Sequence, residues 1–464
     1  MIPVRLPSRV TKFLKLLSAP STSRDRVLLF FLFILCTVCR LPRVVFQGRF
    51  WAEEARVFYW NAAHFPWLSA LFYSYGGYMN FGANLAAVVA RHLVPLDDAP
   101  RVTLVFAMAV QICPALLLLT SRDAWLRPRL ALAACLWLLV AAPSAEEVWL
   151  NTPNSQFFLA LSAALILALA VESGGREIFR RILLFFAPLY GLLAITLLPL
   201  FVLRAAIERS RGRWIQTLTL AAGAAIQMLW FYHQQPGRQT LDVKLILAMV
   251  FAKNLLLPLL GFGASQPTAS WLHAALNRGI LPVAVVIAIL AAGALIFALA
   301  AKGPKEAWWL VIACGVVTLL SYYGKLLPTP NQVDPHNSER YAFAPQVLLA
   351  WSMVAIAAGG RGIRAKIAFG LVAWLSLVSA DAYLHPAAAV VRGPKWRYEM
   401  VKWHADPHYS PKAWPDGAWV LAMNDTDFKL PPPIFEHVSC EFLPSFGGLA
   451  HSNQAKIFQC GLFP

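Results

Sequence analysis

The sequence predicts an all-α polytopic membrane protein, and three observations carry that prediction. Of its 464 residues 59% are hydrophobic and only 14% charged, against roughly 45–50% and 25% in soluble domains. Apolar runs recur from Leu28 to about Tyr383, far more than a single anchor needs. The basic surplus falls in the short segments between those runs. Together these exclude a soluble enzyme, a disordered chain and a disulfide scaffold.

The elements follow in order. Residues 1–26 carry Arg5, Arg9, Lys12, Lys15, Arg24 and Arg26 against Asp25 alone, which predicts a cytoplasmic N-terminus. Within it Arg9–Leu17 is basic and amphipathic, as a helix lying on the inner surface would be. No cleavable signal peptide is expected. Residues 27–384 form the membrane domain, with a count of about 9–13 spans. Clear runs are Val27–Phe46, Val102–Thr120, Leu130–Ala142, Phe157–Val171, Trp214–Tyr232, Ile280–Ala301, Ala307–Tyr323, Tyr341–Ala358 and Ile367–Tyr383.

Basic clusters at Arg122–Arg129, Arg176–Arg181, Arg204–Arg213, Lys302–Lys305 and Arg361–Lys366 all read as cytoplasmic. They share one side under three conditions. Phe81–Leu96 is then not a simple crossing, Ile182–Ile207 is a hairpin broken at Pro188, Gly191 and Pro199, and Leu241–Gly263 lies partly outside. Broken helices at membrane depth need protein or a cavity around them, so the pattern predicts a cavity protein rather than a plain bundle. The outer side receives the loops 48–80, 143–156 and 324–340, and a tail, 385–464, expected to be a small extracytoplasmic domain.

Net charge is +17. The tail holds seven basic and seven acidic residues, so the surplus belongs to short loops facing anionic lipid. Membrane lipid is therefore the expected partner, and nucleic acid is not. Five of the seven cysteines lie in apolar runs and read as small buried hydrophobes. Cys440 and Cys460 lie in the tail and are a disulfide candidate if that tail is extracytoplasmic.

The first outer loop reads GRFWAEEARVFYWNAAHFPWLSALFYSYGGYMNFG. Its aromatic content places Ala55–Trp60 and Trp67–Tyr73 as short helices at headgroup level. Glu53 and Glu54 stand beside that platform, just after the first span. A carboxylate near hydrocarbon has a raised pKa, which suits a general base. The plainer alternative is that both acids hold Arg43, Arg49 or Arg56 in place.

An acidic pair at this position, ahead of interfacial helices, resembles the GT-C membrane glycosyltransferases. The string W-A-E-E-x-x-V-F at Trp51–Phe58, followed by Tyr75–Tyr78 (Y-G-G-Y), is similar to bacterial members of that superfamily with W-A-E-D-G. Here the second acid is Glu54 rather than Asp, and Ala55 stands in place of Gly. The resemblance implies a GT-C-like helical bundle and an inverting single displacement. A sugar leaves a polyprenyl-phosphate donor for a glycan, lipid or protein acceptor of the cell envelope, at the outer face of a bacterial inner membrane. Glu54 is the favoured base with Glu53 beside it, and a divalent cation (Mg or Mn) is optional.

Two further loops fit that picture. Glu146 and Glu147, with Trp149, Asn151, Asn154 and Gln156, offer carboxylates and amides for acceptor hydroxyls or a cation, and an indole to stack on a pyranose. An ordinary loop with helix caps is the alternative. Arg340 and Tyr341 open a late span from the outer side, like the Arg-Tyr of such transferases, where a guanidinium grips the lipid phosphate. An interfacial anchor pair is the alternative. Lys253, Lys325 and His336 are weaker phosphate candidates, Lys253 also fitting a snorkelling side chain. There is no Walker loop, no G-x-G-x-x-G turn and no H-E-x-x-H. The rival readings are a lipid-linked sugar flippase or other transporter, and an O-antigen type polymerase or ligase. The acids cluster early and in loops rather than within spans, which favours interfacial chemistry.

Overall fold

The computed structural model describes residues 19–234, 241–324, 329–387, 391–415 and 417–423. The basic segment 9–17, Lys325, Cys440 and Cys460 lie outside the described residues. The principal helices are α1 (Ser23–Arg40), α2 (Phe81–Leu93), α3 (Ala99–Thr120), α4 (Arg129–Ala141), α5 (Ser155–Ala168), α6 (Gly175–Tyr190), α7 (Leu198–Glu208) and α8 (Arg211–Gln234). After them come α9 (Val243–Met249), α10 (Leu257–Asn277), α11 (Val283–Ala300), α12 (Lys305–Tyr323), α13 (Arg340–Gly359), α14 (Gly362–Leu384) and α15 (Trp396–Ala405). Among the described residues seven helices are long and apolar enough to cross a membrane, and α4 and α5 are shorter apolar ones. The chain is thus an all-α polytopic membrane protein.

Local chemistry sets the helix ends. Thr22 caps α1: its hydroxyl accepts the Asp25 N–H at 3.2 Å, and the Asp25 carboxylate accepts the Thr22 N–H at 2.7 Å, a reciprocal capping box. Prolines at the first turns of α3, α7 and α10 start helices where their missing N–H costs nothing. Ile182–Ile207 is a hairpin: α6 stops at Gly191, a short 3-10 turn follows at Leu193–Leu197, and α7 returns.

Indoles tie the spans together. Trp351 donates to the Cys135 carbonyl at 3.0 Å and Trp149 to the Thr37 carbonyl at 3.3 Å, each ring fully buried. A large apolar body with one satisfied N–H suits an interior without water. Outward faces are apolar instead: Phe31 and Leu35 on α1, and Val283, Ile287 and Leu290 on α11, are exposed. In lipid such faces need no cover.

Contacts sort the charges to two ends of the bundle. At one, Asp25 pairs with Arg129 at 2.9 Å, and Arg26 donates to the Leu119 and Ser121 carbonyls. Glu208 there receives Arg204 at 2.9 Å, Arg213 at 2.8 Å and Lys305 at 3.7 Å. Burial pushes its carboxyl up, and Arg213 and Arg204 together hold it down to about 2. The acids of residues 48–80, 143–156 and 329–340 gather at the opposite end.

The stretch Leu241–Gly263 is helical from Val243 onward. α9 runs through a wide-turned π-helical segment, Val250–Leu256, into α10, giving a 35-residue helical run. Gly261, with φ of +74°, bends it. Lys253 and Asn254 interrupt its apolar pattern, but both are buried with internal partners, the Asn337 carbonyl and the Thr318 hydroxyl. The helix therefore runs on through them, and beyond the bend Gln266 reaches Asp334 at 2.8 Å. The described part of the tail packs on the first loop. Trp396, Met400, Ala413 and Leu421 share one core with Phe50, Tyr59 and Trp60 of the first loop. Trp414 joins that loop by main-chain bonds, its N–H to the Phe50 carbonyl at 3.0 Å and its carbonyl to the Ala52 N–H at 2.6 Å.

Candidate active site

Three segments converge at the carboxylate end: the first loop around Glu53, the second around Glu147, and the turn before α13. Each contains a non-glycine residue with positive φ, namely Ala52 at 35°, Leu150 at 50° and Ser338 at 55°. Such conformations cost about 1–3 kcal/mol each and persist only where the surroundings impose them. All three stand next to a candidate side chain.

The adjacent acids of the first loop have different environments. Glu54 opens a π-helical segment, Glu54–Tyr59, and is 2% exposed. One of its oxygens accepts the Thr152 N–H at 2.7 Å and the Thr152 hydroxyl at 2.8 Å, and the other accepts the Trp51 N–H at 2.8 Å. Burial pushes its pKa up, and these donors together with Arg49 pull it back. Glu54 fastens the first loop to the second. Glu53 is only half-buried. Its pKa is also raised, first by desolvation and further by Glu147, with Arg340 opposing.

Around Glu53 stand two phenols. The hairpin Ser74–Met79 pairs Tyr75 directly with Tyr78 across Gly76 and Gly77, whose φ angles of 66° and 83° fit a two-residue turn. Directly paired residues project on one face of the ladder. Burial, with Glu53 adding to it, pushes Tyr75 up to about 12, so it stays a protonated donor. Tyr78 is raised for the same first reason, and its hydroxyl accepts from Gln156 at 3.2 Å.

Arg340 faces this group from the start of α13. Its Nη1 donates to Glu147 at 2.6 Å, and its main-chain N–H donates to the other oxygen of the same carboxylate at 3.0 Å. Its guanidinium lies 5.2 Å from the Tyr341 ring centroid, and Tyr341 meets Phe157 edge-on at 6.0 Å. The side chains of Arg340 and Glu147 remain 26% and 20% exposed. The pair is thus fixed in direction while keeping N–H groups for a further anion.

His336 and Glu339 complete the rim. The imidazole stacks on Phe262 with centroids 4.3 Å apart, and its Nδ1 lies 3.3 Å from the Glu339 carboxylate. Burial pushes Glu339 up to about 7, with Glu146 and Glu147 adding to the shift. The bond to Glu339 raises His336. Beside this turn opens a polar cavity of about 310 Å³, lined by Ser270, His273, Asn331, Asp334 and Asn337.

Several expected ligands have other partners. Trp149 is fully buried, so it has no face for a pyranose. The Asn151 and Asn154 amides both donate to the Glu147 carbonyl, at 2.8 and 2.9 Å, and fold the loop on itself. Glu146 is 1% exposed and accepts the Ala387 N–H with both oxygens. Lys253 does not snorkel: it is 0% exposed in the π-helical segment, and its ammonium donates to the Asn337 carbonyl. Among the described residues no three His, Cys, Asp or Glu side chains form a metal-ligand set. Sequence reasoning passed over Thr152 and Phe262. The only signal for Thr152 was its place in the polar run after Trp149.

The fold and this cluster define a polytopic helical membrane protein with an ionisable centre at one end. No protein-family model matches the chain, and no curated protein does. Two solved structures are similar in fold. One is ArnT from Cupriavidus metallidurans bound to undecaprenyl phosphate, at 15% identity and a TM-score of 0.40 over 78% of this chain and 76% of that one. The other is the same protein in the apo state, at 17% identity and a TM-score of 0.34 over 81% and 76%.

Proposed function

We propose that this chain is an inverting membrane glycosyltransferase of GT-C type. It moves a sugar from a polyprenyl-phosphate donor to a glycan, lipid or protein of the cell envelope. On this reading the basic end of the bundle faces the cytoplasm, and the carboxylate end faces the exterior of a bacterial inner membrane. Glu53, not Glu54, is the base. The observation that carries this is the division between the two acids: Glu54 has both oxygens engaged and almost no exposure, while Glu53 keeps open surface beside Arg340.

In the reaction Glu53 takes the proton of an acceptor hydroxyl. The acceptor oxygen attacks the anomeric carbon, the bond from that carbon to the phosphate oxygen breaks, and the lipid phosphate leaves. Arg340, aimed by Glu147, stabilises the charge that builds on the phosphate. Tyr75 and Tyr78, beside Glu53, donate hydrogen bonds to the bound substrates. The acceptor enters through the polar cavity beside Asp334. A base raised above the ordinary carboxylate range has more driving force for the proton transfer.

Membranes or purified protein incubated with a panel of labelled prenyl-phosphate sugars test the proposal. Glu53→Gln should lower transfer about 10²–10⁴-fold, with insertion and thermal stability unchanged. Undiminished transfer by Glu53→Gln would remove this residue as the base.

A further inference from the structure

A second cavity, of about 260 Å³, lies where the C-terminal ends of α1 and α14 meet the start of the tail. Leu41, Val44, Leu384 and Val391 give it apolar walls, and Arg40 and Arg43 give it positive charge. Arg40 is 3% exposed. Its two terminal nitrogens donate to the Val140 and Ala142 carbonyls, while its Nε is buried and has no acceptor. The guanidinium is flanked by Trp149 at 5.0 Å and Tyr383 at 5.9 Å.

Among the described residues no carboxylate is in ion-pair contact with Arg40 or Arg43. Glu146 and Glu339 act on Arg40 through space only, the oxygens of Glu146 being committed to Ala387 and Glu339 being paired with His336. A buried guanidinium without an ion partner is costly to maintain. Arg43 stands exposed at the rim. The cavity also continues an apolar track. Leu35 lies one turn before Cys39, which lines the cavity, and Leu377 lies two turns before Leu384, both leucines exposed.

We infer that this cavity binds a phosphate carried on a lipid, as a site separate from the Glu53–Arg340 centre. The phosphate oxygens accept from the Arg40 Nε–H and from Arg43, and the hydrocarbon chain lies along the track formed by Leu35 and Leu377. A free phosphate answers the guanidinium groups but leaves the apolar walls uncovered. A neutral lipid covers the walls but leaves the buried Nε–H unanswered.

The full chain, purified in detergent, is titrated separately with phosphatidylglycerol, a prenyl phosphate, diacylglycerol and inorganic phosphate, and bound adducts are read by native mass spectrometry. At least one lipid phosphate should bind well above both controls. Its affinity should fall about tenfold in Arg43→Gln and in the cavity-filling Cys39→Trp. A preference between the two lipid phosphates identifies the source, and either supports the inference. Binding of diacylglycerol or inorganic phosphate as tight as the lipid phosphates overturns it, and so does affinity unchanged in both variants. Glu53→Gln should retain the adduct, so loss of sugar transfer there and loss of lipid here are independent results.

Discussion

Replacing Glu54 by Gln tests whether this carboxylate holds the fold rather than takes the proton in the proposed reaction. Glu54 accepts three hydrogen bonds inside a site that is 2% exposed. A glutamine keeps a single acceptor oxygen. Turned toward Thr152, it preserves two bonds and opposes its NH₂ to the Trp51 N–H. The loss is then one charge-assisted bond, about 1.5–3 kcal/mol, plus about 1–3 kcal/mol for a buried donor without an acceptor. Removing a buried charge returns part of the desolvation cost, which leaves a net destabilisation of about 2–3 kcal/mol. Thermal unfolding in detergent micelles should show a Tm lower by several degrees. Thr152→Val removes only the hydroxyl bond and should cost about 1 kcal/mol. The double variant should cost less than the two combined, because both act on one network. If Glu54→Gln unfolds like the wild type and yet transfers no sugar, the role assigned to Glu54 is wrong.

Other outcomes follow from the same geometry. Arg340→Lys should lose about 10²–10³-fold in transfer, because an ammonium cannot both hold Glu147 and present a planar fork. Trp149→Ala should cost about 3–5 kcal/mol in stability and leave sugar selectivity unchanged, as measured by unfolding and by competition between donors. Transfer should fall as pH drops through the pKa of Glu53, and that pKa should stand above the usual carboxylate value, since its first cause is burial. A pH–rate profile checks this. Glu339 is held at about 7 when folded against 4.5 when free, and His336 is raised as well. The folded chain therefore binds more protons than the unfolded one across that window, and stability declines as pH rises through it. Tm should drop between about pH 5 and 8, with a flatter slope in Glu339→Gln.

The helices were legible because their signal is local. Every long apolar run corresponds to a helix, and the broken hairpin at Pro188 and Gly191 was visible as punctuation within such a run. The position of the first loop's acids was legible for the same reason. What the sequence hid was the direction of individual side chains. Glu53 and Glu54 are neighbours with the same chemistry, and only contact with Thr152, almost a hundred residues on, separates their roles. Trp149 reads equally as a sugar platform or a core residue until Thr37 is placed under its N–H. Lys253 sits in an apolar run that reads as snorkelling, but the π-helical turn and the Asn337 carbonyl give its ammonium an internal seat. Arg40 had no motif around it, and its environment exists only once α1, α14 and the tail have met.

The link between Trp414 and the strand-like segment Phe50–Ala52 has a consequence for biogenesis. Synthesis delivers those two stretches more than three hundred residues apart, the first loop well before the Trp414 that clasps it. A nascent chain stopped short of Trp414 carries its membrane helices but lacks the clasp on Phe50–Ala52, the segment that leads into Glu53 and Glu54. On the proposed function such a product transfers no sugar, and connectivity ties activity to the arrival of Trp414.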